Sequence, residues 1–151
     1  MVCTAFSFFT YISVALMLCG CGTTLSTSRD IVQTTEEDKR SLEQEWGVEL
    51  RGIRLSAADY MLDFRYRVID PKKAAPLLSR NVKPYLIDQE SGARLIVPTP
   101  PKVGSLQQKS SQPVAGKIYF IIFSNPGKLV KKGNKVTVVI DNFKAENLIV
   151  E

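Results

Sequence analysis

Between Tyr60 and Ile69 the side chains alternate without a break. Tyr60, Leu62, Phe64, Tyr66 and Val68 fall on one side, and Met61, Asp63, Arg65, Arg67 and Ile69 on the other. A period of two is the signature of a strand with one buried and one wetted face. Such strands belong to antiparallel sheets, because parallel strands are covered on both faces. The rest of the chain must therefore supply neighbouring strands and a second layer to cover the apolar side.

The flanking residues supply them. Upstream, Val48 and Leu50, then Ile53 and Leu55, repeat the same period, with Gly52 shifting the phase as a bulge does. Ala57-Ala58-Asp59 is short enough to turn a hairpin between the two strands. Downstream, Asp70-Pro71 stops the second strand, and Lys72 to Ser79 predicts a helical turn whose Leu77 and Leu78 plug one end of the core. A second hairpin is expected from Lys83–Asp88 and Ala93–Val97 around Gln89-Glu90-Ser91-Gly92. Prolines 98, 100 and 101 and the polar run Gly104 to Gly116 predict a long loop, a common place for function. Ile118–Phe123 is apolar on both sides and is expected at the centre of the core. Val136, Val138 and Ile140 begin the last strand region, which Phe143 and Leu148–Val150 complete, as two strands or as one bent strand. The reading is mostly β: an antiparallel β-sandwich of about seven strands over residues 47–151.

The succession Phe123-Ser124-Asn125-Pro126-Gly127, a Lys-Gly-Asn-Lys turn and Val136-Thr137-Val138-Val139-Ile140 is similar to the closing strands of immunoglobulin-like modules on bacterial envelope proteins. The resemblance implies an immunoglobulin-like sandwich and brings no functional motif with it. The tryptophan and disulfide pair of that fold has no counterpart here.

Ahead of the sandwich, Thr34 stands three residues before Glu37, as in a capping box, and Leu42 and Trp46 form an apolar stripe ending at Gly47. Residues 34–46 are therefore expected to form a short amphipathic helix, with Trp46 against the domain edge. Residues 22–32 are small and hydroxylated, and 21–33 is expected to act as a flexible tether. Before it runs an apolar stretch from Ala5 to Leu18, short of the about 20 residues of a membrane span. The stretch ends in Leu18-Cys19-Gly20-Cys21, which resembles the lipobox of bacterial lipoproteins. The resemblance implies a signal peptide over 1–20, recognition through Leu18, Cys19 and Gly20, and lipidation of Cys21. Gly20 is the small residue that cleavage requires; Cys19 is preceded by Leu18 instead. Each buried CH₂ of the attached chains adds roughly 0.8 kcal/mol of membrane affinity. Glycine rather than aspartate after Cys21 implies, by the same resemblance, the outer membrane facing the periplasm.

Chemistry is sparse. The chain has no histidine, and its three cysteines, Cys3, Cys19 and Cys21, all lie in or at the end of the expected signal segment. This removes the commonest general base and the commonest transition-metal ligand, so no cofactor and no metal are expected. Asp88-Gln89-Glu90 reads as a plain turn rather than a calcium loop. The formal charge of +5 is spread over strands and loops without stacked aromatics, which speaks against nucleic acid. Arg65 and Arg67 on the wet face, and Gly104 and Gln107 in the long loop, are the candidate partner-binding residues. The expected function is a membrane-anchored, non-enzymatic binding or assembly module of the bacterial envelope, with an unidentified protein partner. Alternatives are an accessory subunit or chaperone of a transport, secretion or metal-handling system, gripping its partner by a sheet edge or the 98–116 loop, and a hydrolase built on Asp63 and Asp141.

Overall fold

The computed structural model describes residues 27–151, with 27–35 described as backbone. Leu18, Cys19, Gly20 and Cys21, with the expected signal peptide, lie outside the described residues.

Among those residues the chain forms helix α1 (Thr27–Trp46), strands β1 (Val48–Ser56) and β2 (Met61–Val68), helix α2 (Pro71–Ala74), and strands β3 (Tyr85–Asp88), β4 (Arg94–Ile96), β5 (Ile118–Ser124), β6 (Lys135–Ile140) and β7 (Phe143–Ile149). Two antiparallel sheets, ordered β1-β2-β5 and β4-β3-β6-β7, enclose one apolar core. The mostly-β sandwich read from the sequence is the observed architecture.

The alternation in β2 is realised, with Leu62, Phe64, Tyr66 and Val68 buried. The bulge in β1 is real too: the pairing slips between Leu50 and Gly52, so that Val48 and Leu50 before it and Ile53 and Leu55 after it all face β2's inward residues. Two details differ. Tyr60 belongs to the turn rather than to the strand and is 56% exposed, its ring lying 5.0 Å from the Lys128 ammonium. Asp63, expected on the wet face, is buried at 4% exposure, because the guanidinium groups of Arg54 and Arg65 close over it.

β5 is not the central strand. It lies at the margin of the three-stranded sheet, paired to β2 alone. Tyr119, Ile121 and Phe123 fill the core from one side. The residues around Gln107 run antiparallel beside its outer edge, bridged at Ile121, with Gln108 N–H donating to Phe120 C=O and Ile122 N–H to Leu106 C=O. The loop thus satisfies an edge that would otherwise be bare. The strand buried on both faces is β6, where Val136 through Ile140 are all covered.

The sandwich is also tied at its sides. Ile53 and Val150 form a parallel bridge, reinforced by Leu55 N–H to Glu151 C=O and Glu151 N–H to Ile53 C=O, each 3.0 Å. Across the other margin the Ser124 hydroxyl donates to Ile96 C=O.

α1 starts at Thr27, seven residues ahead of the capping box at Thr34, so the distal part of the expected tether is helical. No glycine or proline interrupts Thr27–Trp46, and a helix once nucleated propagates through such a run. Leu42 and Trp46 pack against the core, and the Trp46 ring meets Phe143 edge-on at 5.8 Å. Packing is therefore Trp46's role.

Tyr66 lies in the core beside Phe64 and Tyr119, and its hydroxyl is buried without a partner. Burial, and then the charge of Tyr119, pushes its phenol far above the ordinary value of 10. Leaving a hydroxyl so unpaired costs about 1–3 kcal/mol. Tyr66→Phe is therefore expected to match the wild type or exceed it by up to about 1 kcal/mol in urea unfolding near neutral pH. Because the folded state holds the phenol proton more tightly than the unfolded chain, the wild type keeps its stability below pH 10 and loses it progressively as the pH rises above that value, a loss that phenylalanine does not share. The variant's advantage should widen as the solution is made more alkaline. A variant less stable than wild type at both pH values would mean that the hydroxyl has a partner.

Candidate functional site

The outer face of the β3–β4 hairpin carries a groove of about 600 Å³. Its floor is built from the register of that hairpin. Tyr85 pairs with Ile96 and Ile87 with Arg94, so Tyr85, Arg94 and Ile96 emerge on one face while Leu86 and Leu95 turn inward. The Arg94 guanidinium carbon lies over the Tyr85 ring, 3.5 Å from its centre. One wall is the segment Arg80 to Pro84 that leads into β3, and the other is the loop that follows β4, contributing Val97, Thr99, Ser105, Gln107 and Lys109.

Two hydrogen bonds hold the walls together. Gln107 Nε2 donates to Val82 C=O at 3.4 Å, and Lys109 Nζ to Arg80 C=O at 3.1 Å. The loop is fixed further along by Ser110 N–H to Leu78 C=O and Val114 N–H to the Tyr119 hydroxyl. The groove is therefore a built feature of a pinned loop.

Its charge is one-sided. Arg80, Lys83, Arg94 and Lys109 line it, and no carboxylate does among the described residues. Among the described residues none of the four enters an ion pair. Between the cations stand Val82, Pro84, Ile96 and Val97, and Ile96 is 60% exposed. A guanidinium held over an aromatic ring still has its fork of N–H donors, which matches a planar, bidentate acceptor such as a carboxylate.

The sequence-predicted residues fall in three places. Gln107 is in the groove. Gly104, at φ +79°, closes the preceding turn by donating its N–H to Pro100 C=O and does not line the groove. Arg65 and Arg67 lie on the other sheet and are engaged. Arg65 Nε donates to Asp63 at 3.0 Å, a bond that, together with the charge of Asp63, holds the guanidinium above its usual value. Arg67 Nη1 stands 3.6 Å from Glu49, which also takes Arg51 at 2.8 Å. That face is an ion-pair row of cross-strand neighbours, Glu49 opposite Arg67 and Arg54 opposite Asp63.

Asp63 and Asp141 are not brought together. Asp63 lines a recess with Arg54 and Arg65 on the three-stranded sheet, whereas Asp141, in the β6–β7 turn, lines a recess beside Lys83 and Tyr85. The Asp88 carboxylate accepts from both the N–H and the hydroxyl of Ser91, and so caps the hairpin loop.

Sequence reasoning missed Arg80, Lys83, Arg94 and Lys109. The hairpin register could have placed Tyr85 and Arg94 on a common face. What brings Lys109 across to Arg80 is the path of the long loop, and no periodicity encodes it.

Neither a protein-family model nor a curated protein nor a solved structure matches this chain.

Proposed function

We propose that this chain is a lipid-anchored envelope protein, attached at Cys21 to the outer membrane facing the periplasm, whose sandwich is a non-enzymatic binding module. The observation that carries the binding half is the groove over Tyr85: a pinned, cation-lined recess with an exposed apolar strip, suited to holding a partner. The anchoring half stands on the run from Ala5 to Cys21. Within the described residues no helix is long and apolar enough to cross a membrane.

An immunoglobulin-like kinship is part of the reading, and strand order supports it. In that fold the first, second and fifth strands share one sheet and the third, sixth and seventh the other. Here β1-β2-β5 faces β3-β6-β7, with β4 added beside β3 rather than beside β5.

Two measurements test the two halves. Cys21→Ser is expected to abolish acyl-chain labelling and release the protein from membranes; labelling that survives overturns anchoring at Cys21. A photoreactive residue in place of Thr99, which lines the groove and is exposed, is expected to capture one envelope protein reproducibly in intact cells. Capture of lipid or cell-wall material alone overturns the binding of a protein partner.

A further inference from the structure

We infer that the groove over Tyr85 receives an extended acidic segment of a partner protein, one in which carboxylates alternate with apolar side chains. The inference rests on the binding-module reading and names the chemistry of what is bound. Arg80, Lys83, Arg94 and Lys109 present four positive charges to one recess, with no lining carboxylate among the described residues. Arg94 is the centre of this arrangement. Held over the Tyr85 ring, 3.5 Å from its centre, it has already lost much of the rotamer freedom that a surface arginine gives up on pairing, and it offers its fork to a planar acceptor.

Charge alone would suit any anion. The apolar element decides among them: Ile96, 60% exposed, lies on the same face as Arg94 and two residues further along β4. An occupant made only of phosphates would leave Ile96 wet, whereas an extended peptide projects side chains at regular spacing and can place a carboxylate and a methyl-rich group on adjacent subsites. A groove of about 600 Å³ has the dimensions of a site for a short segment rather than for a whole domain face.

The test uses the full chain in detergent micelles and a short fluorescent peptide in which glutamate alternates with valine. Its twin carries glutamine for every glutamate. The acidic peptide is expected to bind, its twin to bind about tenfold more weakly or less, and added salt to weaken the first more than the second. Arg94→Glu and Lys109→Glu are each expected to weaken the acidic peptide at least tenfold while thermal melts stay near wild type; Lys109 is exposed, so it carries the test if Arg94→Glu unfolds. Equal binding of the twins overturns the inference, as does absence of binding. So does Arg94-dependent binding of inorganic phosphate or phosphatidylglycerol vesicles without peptide binding, which would assign the groove to phosphate. Reproducible protein capture from position 99 with no discrimination between the peptides removes this inference and leaves the binding module standing. Discrimination between the peptides upholds this inference, and with it the binding module, even where position 99 captures nothing.

Discussion

Asn125→Ala is expected to destabilise the domain by about 3–5 kcal/mol, a large share of the 5–15 kcal/mol typical of a whole domain. Asn125 is fully buried, and its side chain satisfies three backbone groups. Nδ2 donates to Asp59 C=O and Val130 C=O, each at 2.8 Å, and Oδ1 accepts from Val130 N–H at 3.0 Å. Alanine leaves all three without partners, two of them on a residue with no exposure. The loss spreads further, because Ala57, Ala58 and Asp59 all adopt positive φ, between 50° and 71°, where residues with a Cβ are disfavoured. Asn125 holds that turn down, by its side chain at Asp59 and by its own N–H at Tyr60 C=O. Asn125→Asp should fare little better, since it turns a carboxylate toward two carbonyl oxygens. As a reference, Asn134→Ala removes bonds to Lys131 N–H and Glu90 at an exposed site and should cost less than about 1 kcal/mol. Urea midpoints compare the three; if Asn125→Ala and Asn134→Ala fall together, the hub does not exist.

The second large effect is expected at Gly47, where α1 hands over to β1. Its N–H caps the helix by donating to Glu43 C=O, and its own C=O accepts from both Ile69 N–H and Asp70 N–H. A Cβ there would lie 2.7 Å from Asp70 Cβ and 2.9 Å from its C=O, at φ +62°. The conformation costs about 1–2 kcal/mol and the overlap about as much again, so Gly47→Ala should lose about 3 kcal/mol. Gly92 separates the two contributions: it also has positive φ, +71°, but nothing lies within 4 Å of the added carbon. Gly92→Ala should show the conformational cost alone. Equal losses at the two positions would mean that the close approach of α2 to Gly47 contributes nothing.

These positions mark how far the sequence can be read. The inward face of β2, the bulge at Gly52 and the hairpin at Gln89–Gly92 are local, period-two or turn-chemistry facts, and all are legible. The apolar richness of Ile118–Phe123 suggested the centre of the core. It reflects instead a sheet margin covered on its outer side by the loop around Gln107, and residue types alone do not distinguish cover by a strand from cover by a loop. The burial of Asp63 escapes the pattern for a related reason: cover by two long side chains from neighbouring strand positions depends on register as much as on pattern. The sequence around Asn125-Pro126 does not reveal the hub, because its partners at Asp59 and Val130 come from opposite directions along the chain. The groove was legible only in part. Loop character points to Gln107, while the cations that define the recess come from three segments that only folding brings into register.

The parallel bridge between Ile53 and Val150 has a mechanical meaning. β1 follows α1 from Val48, and the segment Val150–Glu151 lies beside it at Ile53 and Leu55, so the two run side by side in the same direction. A pull applied between the N-terminal helix and Glu151 therefore loads the hydrogen bonds joining them at once, in shear, rather than opening them one after another. A domain held by one end and drawn on by the other would resist at this seam first, and its yield force would be set by a few bonds beside Leu55 and Glu151.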